Sequence, residues 1–414
     1  MHRTLSRDLP QRAGTNIKLE GWVHRRRQLA GVSFLIVRDR TGLAQVVAPA
    51  GTELPGEETV VEVTGRAVAN PVAPGGVEVV EPDVRVLGEA EPPPVELFRP
   101  ALDAALPTLL DHAAVTLRHP SRRTVFQAAA AAMGAFRSTL NGAGFTEIAT
   151  PKIVASATES GANVFAIDYF GRPAYLAQSP QFYKQTMVGV FERVFEVGPV
   201  FRAEPHDTSR HLAAYTSLDA ELGFIEDHRD VMAVLTDVVR AMVTAVSPYG
   251  FPGVLVPAAL PVVHFADALH LLGADPDEPD LAPEHERALG EWALKEHGSD
   301  FVFVEGYPMA KRPFYTHPQP SDPRWSNSFD LIFRGVELVT GGQRRHRYAD
   351  YLAALAARGE PAAPYETYLE AFRHGMPPHG GFAIGLERFL ARLSGAGNVR
   401  ETTLFPRDLH RLTP

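Results

Sequence analysis

From Asn16 to about Leu87 the chain alternates apolar and polar residues in short runs, IKLEGWVH, VSFLIVRD, LAQVVAP, TVVEVTGRAV and VEVVEPDVRVL, broken by glycine-containing turns. Period-two alternation over such lengths predicts strands with one buried face, and five of them predict a small closed barrel of the OB type, with a sandwich as the alternative. The next stretch, GEAEPPPVELFRP, has no core periodicity, and its triple proline favours a stiff extended link. Beyond it, RTVFQAAAAAMGAFRSTLNGAG has the apolar face of a helix closed by glycine, leading into the strand-like FTEIATP.

The remainder mixes strand-like AYLA, RVFEVGPVFRA, SLDAELGFI, SFDLIFRGVELVT and FAIGL with helical stretches such as HRDVMAVLTDVVRAMVTAV. Without a repeating βαβ pattern, this predicts an α+β domain built on an antiparallel sheet flanked by helices. The boundaries fall at 1–90 for the barrel, 91–120 for the linker and 121–414 for the larger domain. The acidic, proline-containing DPDEPDLAPEHERALGEWAL reads as a peripheral helix and its loop.

Composition narrows the chemistry. At 414 residues the chain is long for a single core, and its lack of cysteine excludes disulfides, thiolate metal sites and a cysteine nucleophile. The N-terminus lacks the apolar core of a signal peptide and no uninterrupted apolar stretch reaches about 18 residues, so a cytoplasmic location is expected. A net charge of −9 disfavours a polyanion partner overall, yet Arg25, Arg26, Arg27, Arg38 and Arg40 cluster in the barrel. That cluster is either a nucleic-acid surface or a solvated basic rim.

Three segments could carry chemistry. In FRAEPHDTSRHL, Arg202 and Glu204 end a strand and Arg210 and His211 precede the next, so paired arginines could clamp phosphates with fork-like bonds. In FDLIFRGVELVTGGQRRHR, Asp330, Glu337 and Thr340 offer hard oxygens suited to Mg²⁺. There Gly341 and Gly342 would let backbone approach a ligand, and Arg344 could take a carboxylate. In GGFAIGLERF, Gly380, Gly381 and Gly385 leave room for a flat ring that Arg388 could cover. No GxxxxGKS loop, GxSxG elbow or HExxH helix occurs, and the glycine spacing does not fit GxGxxG.

FTEIATP, FRAEPHDTSRHL and GGFAIGLERF, in that order, resemble the three signature motifs of class II aminoacyl-tRNA synthetases. ATES at 157–160, LAQSPQFYKQ, GGQRRHR and the terminal NVRETTLFPRDLHRLTP are similar to aspartyl-tRNA synthetases of the archaeal and eukaryotic type. The resemblance implies an ATP-dependent ligase with Mg²⁺ that forms aspartyl-adenylate and passes aspartate to tRNA, and a homodimer joined through the first motif. It implies that Arg202 holds the α-phosphate and substrate α-carboxylate, Glu204 the adenine, Arg210, His211 and Leu212 the loop over ATP, and Arg388 the far phosphates. Gly385 would lie against the nucleotide, and Glu337 and Thr340 would bind Mg²⁺, with threonine where the family usually has serine.

For the amino acid, the resemblance points to Glu159, Gln181, Lys184, Arg202, Thr340 and Arg344, with Lys184 and Arg344 favouring aspartate because asparagine would leave them unpaired. Ala214 stands where the family usually carries glutamate. In the barrel, Phe34, Gln45 and Glu78 match anticodon-contacting positions. His24 and Pro74 match members that charge both the aspartate and asparagine tRNAs, the latter product feeding an amidotransferase, whereas strictly aspartate-specific members tend to carry Trp and Lys. An asparaginyl-tRNA synthetase, a synthetase-like asparagine synthetase and a non-catalytic tRNA-binding paralogue are the alternatives.

Overall fold

The computed structural model describes residues 2–155 and 163–413. They form two compact units, Met1–Arg123 and Thr124–Pro414.

In the first unit, strands β1 (Asn16–Gln28), β2 (Val32–Arg38), β3 (Leu43–Pro49), β4 (Val60–Ala69) and β5 (Val77–Gly88) close a barrel in the order β1-β2-β3-β5-β4. Closure removes the free edges a sandwich would keep. The inward residues Ile17, Leu19, Val23, Leu35, Val37, Val46, Val61, Val63 and Val79 are almost fully buried, as the alternation predicts. After the barrel come two short helices, α1 (Leu106–Asp111) and α2 (Ala113–Thr116).

β1 carries a bulge. Val23 pairs with Val37 and Arg25 with Ile36, so His24 is the extra residue. A bulge re-aims the side chain it inserts, and His24 is only 9% exposed. Beside it Arg38 makes a two-pronged ion pair with Glu58 at 2.8 and 2.9 Å, and Arg118 adds a third bond at 2.9 Å. The arginine cluster is therefore not one uniform surface. Arg38 is spent inside, Arg25 stacks on Phe98, Arg26 donates to the Leu54 carbonyl, and Arg27 and Arg40 are exposed.

Helix α3 (Pro120–Gly142) runs across the boundary, and its Ala128, Ala132, Phe136 and Leu140 enter the main core of the second unit. Next are β6 (Thr146–Glu147), β7 (Ile153–Val154), β8 (Ala166–Tyr169), β9 (Arg172–Leu176), α4 (Gln181–Phe191), β10 (Arg193–Phe201), β11 (Ala214–Gly223), α5 (His228–Val246) and β12 (Val262–His264). They are followed by α6 (Phe265–Leu272), α7 (Pro283–His297), β13 (Phe301–Glu305), β14 (Ser328–Phe333), β15 (Val336–Arg344), α8 (Tyr348–Arg358), α9 (Glu366–Arg373), β16 (His379–Gly385) and α10 (Leu386–Ser394). Eight strands form one sheet, β12-β13-β14-β15-β16-β11-β10-β6.

The six central strands are antiparallel, but both edge pairs, β12 with β13 and β6 with β10, are parallel, so the sheet is mixed where an antiparallel one was expected. Long connections precede these edge pairings, which is what parallel pairing needs and a short apolar run cannot reveal. One face is covered by α3, α5 and α10, and the other carries the site. α5 is long and apolar enough, by length and composition alone, to cross a membrane, contrary to the expectation from uninterrupted runs. Its Val231, Leu235, Val238, Val239 and Met242 are instead buried in the core.

Candidate active site

A cavity of about 270 Å³ opens on the sheet at the strands β11, β15 and β16, beneath the loop 202–213 that joins β10 to β11. It is lined by Gln181, Lys184, Arg202, Glu204, Arg210, His211, Leu212, Glu337, Thr340, Arg344, Gly385 and Arg388. These come from positions more than 200 residues apart. Glu159 lies outside the described residues.

At one end, Lys184 of α4 and Arg344 of β15 meet two carboxylates of β11. Lys184 Nζ donates to Asp219 at 3.0 Å and to the Phe382 carbonyl at 3.1 Å, and stands 3.4 Å from Glu221. Arg344 donates through Nε to Glu221 at 2.9 Å and through Nη2 to the Gly381 carbonyl at 3.0 Å. Burial pushes the Glu221 carboxyl up, but Arg344 and Lys184 outweigh it and hold Glu221 below the usual range. The two cations are thus already paired within the protein, so a neutral ligand would not leave them unpaired, contrary to expectation. The set is charge-balanced, and with Nε and Nη2 committed, Arg344 keeps further N–H groups that can donate to an acceptor in the cavity.

Asp219 and Glu221 were not singled out from sequence, although alternation in SLDAE placed Ser217, Asp219 and Glu221 on one face of β11, where polar residues in a buried strand are a signal. Gly381 is tied to them. It sits opposite Glu221 in the ladder, and a Cβ there would come within 2.0 Å of Glu221 Oε2. Gly341 is needed for packing too, since its Cβ would meet the Phe329 ring at 2.4 Å, and a Cβ on Gly380 would meet the Gly342 carbonyl at 2.6 Å. At Gly342, Gly380 and Gly381 the space an added side chain would need is filled by protein, so the expectation that they clear room for a ligand is corrected there, while Gly341 lines the cavity. At Gly385, by contrast, the nearest atom to an added Cβ is 3.8 Å away.

At the other end, Thr340 Oγ1 donates to Glu337 Oε1 at 3.1 Å, and Arg388 Nη1 donates to the Glu337 carbonyl at 2.8 Å. Asp330 pairs across the ladder with Thr340. It is buried, pushed up to about 6 by burial against the pull of Arg312, and its Oδ1 has no hydrogen-bond partner among the described residues. Arg312 lines the cavity and has its guanidinium carbon over the Tyr307 ring, 3.9 Å from the ring centre. The acidic segment read as peripheral also reaches the site: Glu286 of α7 accepts the Glu337 N–H at 3.1 Å and lies 3.9 Å from Arg210. Burial and the neighbouring Glu337 raise its carboxyl.

The loop 202–213 is shaped by its own bonds. Arg202 N–H donates to the Ala213 carbonyl at 2.9 Å, and Thr208 Oγ1 lies 2.6 Å from His211 Nδ1. Arg202 sits over Tyr215 at 5.7 Å and 3.9 Å from Glu204. Behind the loop, Glu387 of α10 accepts the Thr216 N–H at 3.0 Å through both oxygens, and burial pushes its carboxyl up to about 7. Ala214, where glutamate was expected, simply continues β11 opposite Phe201.

On the barrel, Phe34, Gln45 and Glu78 are half-buried, and Glu78 Oε2 accepts from Gln45 at 2.9 Å and from Asn70 at 2.8 Å. Pro74 is exposed and opens the turn Pro74–Gly76. His24 faces inward instead, 3.3 Å from Arg38, and burial with that guanidinium lowers its pKa to about 4, so it is neutral.

An antiparallel strand pair whose connecting loop carries Arg202 and Arg210, a glycine-edged strand running into a helix with a third arginine, and an OB barrel define an ATP-using ligase of the class II synthetase type. The profile for class II tRNA synthetases (D, K and N) matches residues 106–409 and that for an OB-fold nucleic acid binding domain matches residues 17–87, so the chain belongs to this synthetase family. It is 49% identical to an aspartate–tRNA(Asp/Asn) ligase of Deinococcus radiodurans, covering 100% of this chain and 99% of that protein. A ligase of the same name from Thermus thermophilus is 47% identical, with 100% of each chain covered. The asparaginyl-tRNA synthetase of Pyrococcus horikoshii complexed with asparaginyl-adenylate superimposes with a TM-score of 0.91 at 29% identity, with 100% of both chains covered. The fold is thus shared with an asparaginyl-tRNA synthetase, and backbone architecture alone does not name the amino acid.

Proposed function

We propose that this chain attaches L-aspartate to tRNA by way of aspartyl-adenylate, and that it charges both the aspartate and the asparagine tRNAs. The observation that carries the amino acid is the buried set Lys184, Asp219, Glu221 and Arg344 at the end of the cavity. Its free donors suit a side-chain carboxylate, with Gln181 lining the same end. Full-length relatives named for this activity support the reading.

In this reading the α-carboxylate of aspartate is itself the nucleophile. The protein supplies position and charge for an in-line displacement at the α-phosphate, and no covalent enzyme intermediate is needed. Arg202 holds the α-phosphate and substrate carboxylate, Glu204 the adenine, Arg210, His211 and Leu212 cover ATP, and Arg388 takes the far phosphates. Glu337 and Thr340, with their oxygens 3.1 Å apart and the unpartnered Asp330 Oδ1 on the neighbouring strand, fit Mg²⁺. Held there, Mg²⁺ would supply positive charge against the phosphates. Glu159 would meet the substrate ammonium.

The tRNA range rests on Pro74 at the exposed turn and His24 in the bulge, with Phe34, Gln45 and Glu78 receiving the anticodon. Because His24 is turned inward, it acts by shaping the Arg38–Glu58 corner of the barrel rather than by touching a base. We assign 1–90 to anticodon binding, 91–120 to the hinge and 121–414 to catalysis, in a cytoplasmic homodimer. Its aspartyl-tRNA(Asn) product would pass to an amidotransferase. Aspartate-dependent ATP/pyrophosphate exchange against asparagine tests the amino acid. Aspartylation of transcripts with GUC and GUU anticodons tests the range: comparable rates are expected, and a GUU rate lower by about three or more orders of magnitude refutes dual charging.

A further inference from the structure

The C-terminal segment after α10 clasps the loop 202–213 from outside. Val399 N–H donates to the Ser209 carbonyl at 2.9 Å and Ala213 N–H to the Arg407 carbonyl at 2.8 Å, so the loop is pinned to the terminal strap at Ser209 and at Ala213. Arg400 is the centre of the clasp. Its Nη2 donates to Asp207 at 2.6 Å, its Nη1 to the Thr208 carbonyl at 3.2 Å, and its Nε to Asp408.

Neither anchor is loose. The Arg400 side chain is 11% exposed and that of Asp408 6%. Asp408 also accepts the N–H groups of His410 and Arg411 at 2.8 Å each. The strap is in turn fixed to the helix that carries Arg388, because Thr402 Oγ1 donates to the Glu387 carbonyl at 2.9 Å. Val399 itself lines the cavity.

Arg400 therefore spends a planar fork on tying a loop to a rigid wall, and that loop bears Arg210, His211 and Leu212. Loop ordering costs entropy that ATP would otherwise have to supply on binding. We propose that Arg400 is a positioning residue for ATP: through Asp207 and the Thr208 carbonyl it holds the nucleotide-covering loop in its ligand-ready shape, and the terminal strap is part of the ATP site. This rests on the reading of that loop as the ATP cover.

The test is steady-state ATP/pyrophosphate exchange on the full chain with Arg400→Ala, Arg400→Lys and Asp207→Asn, each checked by thermal melting. Loss of the fork should raise KM for ATP about tenfold or more while KM for aspartate stays within about twofold, with Arg400→Lys partly restoring it. Asp207→Asn, on the exposed side of the clasp, should reproduce the ATP effect with an unchanged melting temperature. Arg400→Ala combined with Asp207→Asn should be no worse than Arg400→Ala alone. A folded Arg400→Ala enzyme with unaltered KM for ATP, equal rises in both KM values, or fully additive losses in the double variant would each overturn the proposal. If wild-type enzyme shows no aspartate-dependent exchange at all, the assignment of function fails instead.

Discussion

Replacing Arg344 by methionine keeps length and removes the fork from a set in which Lys184 and Arg344 balance Asp219 and Glu221. The remaining site carries two carboxylates against one ammonium, yet must accept an anionic ligand. A charge-assisted hydrogen bond to the ligand is lost, about 1.5–3 kcal/mol. Glu221 is left facing the ligand carboxylate with less screening, about 2 kcal/mol at roughly 7 Å and an effective dielectric near 20. Together these give ~4 kcal/mol, so kcat/KM for aspartate in ATP/pyrophosphate exchange should fall about a thousandfold. KM for ATP should move by less than about threefold, because Arg344 lies at the opposite end of the cavity from Arg388. Arg344→Lys keeps the charge but cannot hold Glu221 and the Gly381 carbonyl while also meeting a ligand, and should lose about ten- to a hundredfold. A folded Arg344→Met enzyme with less than about a tenfold loss in kcat/KM for aspartate would refute the reasoning.

Two further outcomes follow from the geometry. Thr340→Val with Glu337→Gln should lower exchange by about a hundredfold or more and raise the Mg²⁺ concentration for half-maximal rate, whereas Thr340→Ser should leave both nearly unchanged; an unaltered Mg²⁺ profile in the double variant would dismiss these oxygens as the metal site. His379, buried with its pKa lowered to about 4 chiefly by burial, is neutral in the folded protein but protonates near 6.5 when unfolded, so its own contribution to stability, read as the difference from His379→Gln, should be flat above pH 6.5 and fall by up to ~3 kcal/mol as pH drops to about 4, while His24 and Glu387 titrate alike in both proteins. Melting curves across that range should show this loss reduced in His379→Gln, and identical slopes for both proteins would contradict it.

How much of this was legible beforehand differs from element to element. The barrel was readable because its strands alternate with period two, and the order of FTEIATP, FRAEPHDTSRHL and GGFAIGLERF identified the catalytic unit. The parallel edge pairs were not readable, since strand direction depends on where a connection returns. The inward turn of His24 was hidden for a similar reason: one inserted residue in β1 shifts which side chains face the core. Glu286 looked peripheral because an acidic helix with prolines resembles solvent-facing structure, and only the return of α7 beside β15 brings it to Glu337.

The sequence by itself determined which residue types the site contains, because arginines, carboxylates and a hydroxyl in ordered motifs are chemistry written locally. The tertiary structure alone decided their charge balance and mutual hold. Lys184 and Arg344 are neutralised by Asp219 and Glu221, Gly381 exists to admit Glu221, and Arg400 reaches back to Asp207. Such contacts join positions as far as 193 residues apart. Electrostatic energy depends on separation in space and on burial, neither of which a linear pattern carries until the sheet has formed.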